Sequence, residues 1–252
     1  MMTRRRILQD LALAVPLLAV WKTGALAEVA RSALDRWARE VVDLNRALAS
    51  GDISLLEWQE RIATLNVSVP VGDISRYLQI DALSTQFRYP SRLAETVDPH
   101  FPEEVSVDGV TRPWFMRVFA MREGGAIIPH AHNNMVSAHL VVRGSFHART
   151  YHRIEDEGQA IAIRPSLDRL LNPGEVITMS DDRDNVHWLV AQRSRSMTFD
   201  IGVVNVSKTR TYKTPANRYS MVYLDPTRKP EQDGLIHAPV ISFDQSVSKF
   251  AS

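Results

Sequence analysis

The chain has 252 residues, a hydrophobic fraction of 44%, a charged fraction of 23% and a formal net charge of +1. Such a chain can bury a core of useful size without disulfides, and its near-zero charge gives no global field that would recruit nucleic acid. It contains no cysteine, which excludes disulfides, thiolate zinc sites and cysteine nucleophiles and leaves any metal to nitrogen or oxygen ligands.

Thr3-Arg4-Arg5-Arg6 opens the chain and an apolar stretch runs from Leu11 to Val20. Ala25-Leu26-Ala27 then offers the small residues that a signal peptidase accepts. The apolar run is short for a membrane span. Residues 1–27 are similar to a twin-arginine export signal, with Asp10 as a departure. The similarity implies passage through the twin-arginine export machinery, in folded form, to the periplasm. An amphipathic N-terminal helix with chance arginines is the other reading.

Residues 28–104 form a helical segment expected to pack on the β-rich region C-terminal to it. Val29, Leu34, Trp37, Val41, Leu44 and Leu48 recur at helical spacing up to the break at Gly51-Asp52. Ser54 is placed to cap a second helix, with Leu55, Trp58, Ile62 and Leu65 on one face. Val69-Pro70 and Gly72 end that helix, and Ile74 to Ile80 gives a short third one.

From about residue 105 to 225 the texture is that of a β-barrel or sandwich. Eight β-rich runs are predicted: Trp114–Met121, Ala126–Pro129, Val136–Val142, Phe146–Ile154, Ala160–Ile163, Val176–Met179, Val186–Ala191 and Met197–Val206. Turn residues separate them, among them Gly124-Gly125, Asn133-Asn134, Gly144 and Asn172-Pro173-Gly174. Residues 226–252 read as a proline-rich, charged tail that wraps the barrel as loop, after one short strand near Tyr219 to Leu224.

Eight histidines carry most of the chemical information. His130 and His132 are two apart in a β-like run, so both imidazoles project from one strand face and can bind one ion. A third ligand must come from elsewhere, and His187, in a later strand, is the best candidate. Imidazole binds zinc, iron, copper and nickel alike. Two core or surface histidines without metal are the alternative for the pair taken alone.

Gly124, His130, His132 and Gly144 match the first cupin motif, G-x5-H-x-H-x4-E-x6-G, at every spacing, with Ser137 in the place of the glutamate. Asn172-Pro173-Gly174 followed by His187 resembles the second motif with an enlarged loop. The resemblance implies a mainly β, cupin-type barrel. Within the cupins, Ile128-Pro129-His130-Ala131-His132-Asn133-Asn134-Met135, Gly144-Ser145-Phe146-His147, Tyr151, Asn185-Val186-His187 and Asp200-Ile201 resemble the cysteamine dioxygenase and plant cysteine oxidase family of thiol dioxygenases. That resemblance covers about residues 110–225. It implies Fe(II) on His130, His132 and His187, Asp200 as a site-shaping acid, and reaction of a small thiol with O2 to give a sulfinic acid. The same barrel holding zinc, manganese or nickel, as a hydrolase, an isomerase or a ligand-binding module, is the competing reading. A metal-free interaction domain is a third.

His139 shares strand parity with Ser137 and faces inward if Ser137 does. It is either a buried histidine satisfied by a hydrogen bond, or a catalytic group that supports a ligand or donates a proton. His147 is expected to be structural, and His100, His152 and His237 exposed. Arg117 and Arg143 read as solvated strand-end arginines, either of which could instead hold a substrate carboxylate, Asn185 could orient His187, and Asp181, Asp182 and Asp184 read as a solvated turn. Tyr151 and Tyr223 read as barrel filler.

If residues 1–27 direct twin-arginine export, mature protein starts at Glu28 and lies outside the cytoplasm. Replacing Arg4 and Arg5 together by lysine should then trap the precursor inside, as read by cell fractionation. Unchanged export of that variant would refute the twin-arginine assignment.

Overall fold

The computed structural model describes residue 28, residues 31–99 and residues 113–251. The export signal expected at 1–27, and His100, lie outside the described residues.

The helical segment begins with α1 (31–50), followed by α2 (Leu55–Ser68), α3 (Val71–Tyr77) and α4 (Ile80–Ser84). Ser54 caps α2 as its sequence position suggests, its hydroxyl accepting from the Glu57 N–H at 3.1 Å. Trp37, Val41, Leu44 and Leu48 on α1 and Trp58 and Ile62 on α2 are buried. Two reciprocal bonds satisfy the buried indoles: Trp37 Nε1 donates to Asn66 Oδ1 at 3.3 Å, and Trp58 Nε1 to Asn45 Oδ1 at 3.1 Å.

Beyond the helices come β1 (Glu95–Val97), β2 (Trp114–Met121), β3 (Ala126–His132), β4 (Met135–Arg143), β5 (Phe146–Asp156) and β6 (Ala160–Leu171). They are followed by β7 (Val176–Met179), β8 (Val186–Ala191), β9 (Ser196–Val204), β10 (Met221–Tyr223), β11 (Ile236–Pro239) and α5 (Phe243–Phe250). All strands pair antiparallel, in one sheet of order β1-β2-β9-β4-β7 and another of order β10-β3-β8-β5-β6-β11. Strands β2 to β9 thus have the order of two interlocked Greek keys, a jelly roll. The fold is the mainly β, cupin-type barrel with a helical segment ahead of it.

The helices cover the outer face of the first sheet. One continuous core joins Trp37, Val41, Trp58 and Ile62 to Val136, Ala138, Leu140 and Phe199. That fixes the parity of β4: even-numbered residues face the helices, and Ser137, His139 and Val141 face the barrel interior. Val141 joins Phe146, Leu171, Met179 and Leu189 in an apolar plug at one end of the interior. The functional groups are left at the other end.

Strand β3 runs past its expected end at Pro129 to His132, and α3 begins at Val71 instead of Ile74. Neither α4 nor β1 was expected. Two larger differences stand out. Strand β6 runs on past Ile163 through Arg164, Pro165 and Asp168 to Leu171. Proline and charge are tolerated there because β11 pairs only with residues 160–163, and the remainder of β6 is an open edge. The tail is not only loop. It contributes β11 to the second sheet and α5, whose Ser242 and Gln245 form a reciprocal capping box.

Gly144 turns between β4 and β5 at φ +71°, and a Cβ there would lie 2.8 Å from Ser196 Cα and Cβ. Gly144→Ala is expected to cost roughly 2–5 kcal/mol, backbone strain and overpacking combined. Gly158→Ala, at φ +80° with open space around it, should cost only the strain, about 1–2 kcal/mol. Denaturant midpoints of the two variants check this. Equal losses would show that the contact with Ser196 is immaterial.

Candidate metal centre

The site starts from an irregularity in β3. Its register against β8 pairs Ile127 with Leu189 and His130 with His187, with a shift between. Ile127 belongs to the interior plug, and His130, three residues later, also faces inward. Regular alternation forbids that; a bulge permits it. Pro129, which has no N–H to give a ladder, sits in the bulge. From His130 alternation resumes, so His132 points the same way, and the register brings His187 directly opposite His130.

The three imidazoles offer ring nitrogens that all lie within 4.8 Å of one another. All three residues are buried. His130 Nδ1 lies 2.8 Å from the Ile128 carbonyl in the bulge. Nδ1–H donates to that carbonyl, which leaves the Nε2 lone pair free. Nε2 of His130 is 3.0 Å from Nε2 of His132. Two nitrogens each about 2.1 Å from one ion, at roughly a right angle, would be separated by about that distance. Burial depresses the imidazole of His130 to about 4 and those of His132 and His187 well below the ordinary value. All three are therefore neutral near pH 7, the form that binds metal without first losing a proton. The Nδ1 atom of His132 is buried and has no partner among the described residues. The two Nε2 atoms that face each other at 3.0 Å can both ligate one cation, and the donor set fits a divalent transition metal.

Among the described residues no carboxylate completes the set. Ser137, in the place of the motif's glutamate, is buried, its hydroxyl without a partner among the described residues. Beside it across the sheet lies Gly202, and beside that Phe115. A Cβ on Gly202 would stand 2.3 Å from the Phe115 ring, so the ring occupies the space that a side chain at position 202 would use.

The next row of the same sheet is His139, Asp200 and Arg117, paired in register across β4, β9 and β2. All three line a cavity of about 570 Å³ whose wall includes the three ligand histidines, Ile128, Met135 and Tyr223. His139 Nδ1 is 3.3 Å from Thr198 Oγ1, and its Nε2 is 3.8 Å from Asp200 Oδ1. Burial drives both groups to neutrality. The His139 imidazole falls to about 3, and the Asp200 carboxyl rises well above its ordinary value despite the opposing charge of Arg117.

Asn185 meets His187 through its backbone, which accepts from the imidazole, while its side chain has a second task. It clamps the backbone of His132, its Oδ1 accepting from His132 N–H at 3.2 Å and its Nδ2 donating to His132 C=O at 2.9 Å. The same Nδ2 donates to Asp181 Oδ1 at 3.1 Å, and Tyr212 donates to Asp181 Oδ2 at 2.6 Å. Asp181 is therefore no solvated turn residue; its side chain is 2% exposed and carries the clamp. This support was legible only as an acidic run next to an asparagine, and Tyr212 gave no signal at all.

Other expectations resolve simply. His147 pairs with Asp168 at the surface, and His152 and His237 are partly exposed, beside Asp184 and Glu157. Arg143 pairs with Asp81 on the outside and does not line the cavity. Tyr151 packs between strands away from the cavity, whereas Tyr223 lines it.

No family model matches the chain, and no curated protein matches it. Among solved structures it is similar to KdgF from Halomonas sp., at 19% identity over 37% of this chain and 71% of that one, with a TM-score of 0.29. A cupin superfamily protein from Desulfitobacterium hafniense DCB-2 is similar at 10% identity over 48% of this chain and 87% of the other, with a TM-score of 0.31. An oxalate oxidase is similar at 16% identity over 37% of this chain and 43% of the other, with a TM-score of 0.29. The chain thus spans less than half of the oxalate oxidase.

His130→Ala, His132→Ala and His187→Ala should each lose most bound metal, and His152→Ala should not, as measured by elemental analysis after dialysis. Asn185→Ala should retain the three imidazoles but weaken metal affinity on the order of 10- to 100-fold. Full metal retention by all three alanine variants of the ligands would remove the assignment.

Proposed function

We propose that the chain is a non-haem iron(II) enzyme of thiol-dioxygenase type, exported to the periplasm, that combines a thiol with O2 to give a sulfinic acid. The observation that carries this reading is the convergence of three neutral imidazoles, with no carboxylate among them, on a largely apolar cavity. The segments around His130, His132, His187 and Asp200 that resemble the thiol dioxygenases support it. The basic pair Arg4-Arg5 ahead of an apolar run supports the location.

Ferrous iron held by His130, His132 and His187 would supply the chemistry that joins a thiol sulfur to O2. In the overall change, R–SH + O2 → R–SO2H, both oxygen atoms end on sulfur. Sulfur is oxidised, dioxygen is reduced, and no outside reductant is consumed. The neutral ligands leave the positive charge of the ion uncompensated, which favours an anionic partner such as a thiolate. Phe115, lying over Gly202, lines the cavity beside the histidines. Asp200 holds a proton on its carboxyl at the cavity wall, and neutral His139 stands beside it. Together they can give or relay a proton to a reacting oxygen. Ile128 and Met135 give the same space an apolar lining.

The donor set also accepts zinc, manganese or nickel, with which the barrel would serve hydrolysis, isomerisation or ligand binding. Elemental analysis of protein purified without oxygen, followed by oxygen uptake with a panel of thiols, separates the readings. Iron in the site, with one O2 consumed per thiol and a product heavier by two oxygen atoms, is the expected result. Iron-loaded protein that consumes no oxygen with any thiol overturns the dioxygenase reading. His139→Gln and Asp200→Asn should keep metal content near that of the parent and slow turnover on the order of 10- to 100-fold. Unaltered rates in both variants would make them ordinary interior residues.

A further inference from the structure

The far wall of the cavity comes from the segment that joins the barrel to β10. Asn217 N–H donates to the Met221 carbonyl at 2.9 Å, and Ser220 N–H donates back to the Asn217 carbonyl at 3.0 Å. The Asn217 side chain accepts from Tyr219 N–H at 2.8 Å and Met221 N–H at 3.1 Å. Ser220, at φ +61°, turns its carbonyl to accept from Asn133 N–H at 2.8 Å. Asn133 directly follows the ligand His132, and the register sets Met221 opposite His132. This tight turn is therefore fixed in place relative to the three histidines.

The turn carries Arg218. Its guanidinium lies 4.7 Å from the centre of the Tyr219 ring, which holds it in a limited range of positions. Both residues line the cavity, as does Phe243, and Tyr219 and Phe243 are 57% and 46% exposed. Arg218 has no carboxylate partner among the described residues. The other cation of the lining, Arg117, is already paired with Asp98 at 2.8 Å. The one acid of the lining, Asp200, is neutralised by burial. The cavity thus offers a single uncompensated positive charge at an aromatic rim, with apolar wall between it and the histidines.

We propose that this cavity binds a molecule bearing one carboxylate and an apolar body, with the carboxylate held by Arg218 and the far end delivered to the three histidines. One free guanidinium suits a monoanion, which it can grip with two parallel hydrogen bonds. A volume of about 570 Å³ is that of a site for an intermediate-sized organic molecule and exceeds what a small thiol fills. The inference rests on this cavity being the substrate site, and not on which reaction occurs there.

The test is calorimetric titration of the whole protein with a series of ω-phenyl carboxylic acids of increasing chain length, and with the matching amides. It is run on chelator-treated protein and on protein loaded with zinc, which has no redox chemistry. In both forms at least one acid should bind about tenfold more tightly than its amide. Arg218→Gln should abolish that preference while leaving amide binding and metal content unchanged, and Arg164→Gln, exposed on β6, should change nothing. A preference that appears only with zinc would place the carboxylate on the metal and overturn the role of Arg218 without touching the metal-centre assignment. Retained preference in Arg218→Gln, or no saturable binding of any acid, overturns the proposal outright. Phenylalkyl phosphonates binding more tightly than the acids would show that the site takes a dianion instead.

Discussion

Between Ile127 and His130 the third strand gains an odd residue, and the two faces of the sheet exchange roles. Without that step, the parity that buries Ile127 in the plug would turn His130 and His132 out of the barrel. With it, the two histidines face inward and His130 lies opposite His187. The bulge also presents the Ile128 carbonyl to His130 Nδ1. One local irregularity therefore sets the direction of the ligands, their spacing and the tautomer of one of them. Proline at position 129 makes the irregularity inexpensive, because a ladder hydrogen bond it cannot donate is not lost there.

Electrostatics depends on where this places the groups. Four imidazoles and one carboxyl in a buried space cannot all be charged, since each isolated charge would carry a large desolvation cost. Burial resolves this by making every one of them neutral. The interior is then a polar but uncharged cup in which a divalent ion would be the dominant charge. Ser137 contributes to the same balance. A carboxylate at that position would offset part of the ion's charge, whereas a hydroxyl leaves it available to a substrate.

How much of this could be read from the sequence depends on the range of the interaction concerned. Local signals were faithful. Ser54 caps its helix, and Trp114–Met121, Val176–Met179 and Val186–Ala191 are strands at the predicted limits. The histidine triad was legible because i and i+2 parity is local and the glycine spacing framed it. Register was not legible. Nothing in the sequence says that His187 faces His130, that Asp200 faces His139, or that Asn185 reaches across to the backbone of His132. Proline misled twice for one reason. The strand expected to end at Pro129 continues through a bulge, and the one expected to end at Ile163 continues through Pro165 on an open edge; in both places a donor is not required. The strand and helix near the C-terminus escaped because their charged, proline-rich flanks mimic loop.

The walls of the cavity are of two physical kinds, and this divides their work. His139 and Asp200 stand on adjacent strands of a sheet buried on both sides, held by ladder hydrogen bonds and by the helical layer behind them, with the half-exposed Arg117 at the end of the row. Changing that row means repacking a core. Arg218 and Tyr219 stand on a turn held by four hydrogen bonds within residues 217–221 and one bond to Asn133. Substitutions in that turn disturb little else, so the turn can vary while the sheet cannot. Chemistry that tolerates small positional error poorly belongs on the sheet, and selection among substrates belongs on the turn. Because Ser220 is bonded to the residue after His132, the two are still mechanically joined: a substrate gripped at the turn is held at a fixed offset from the ligand strand.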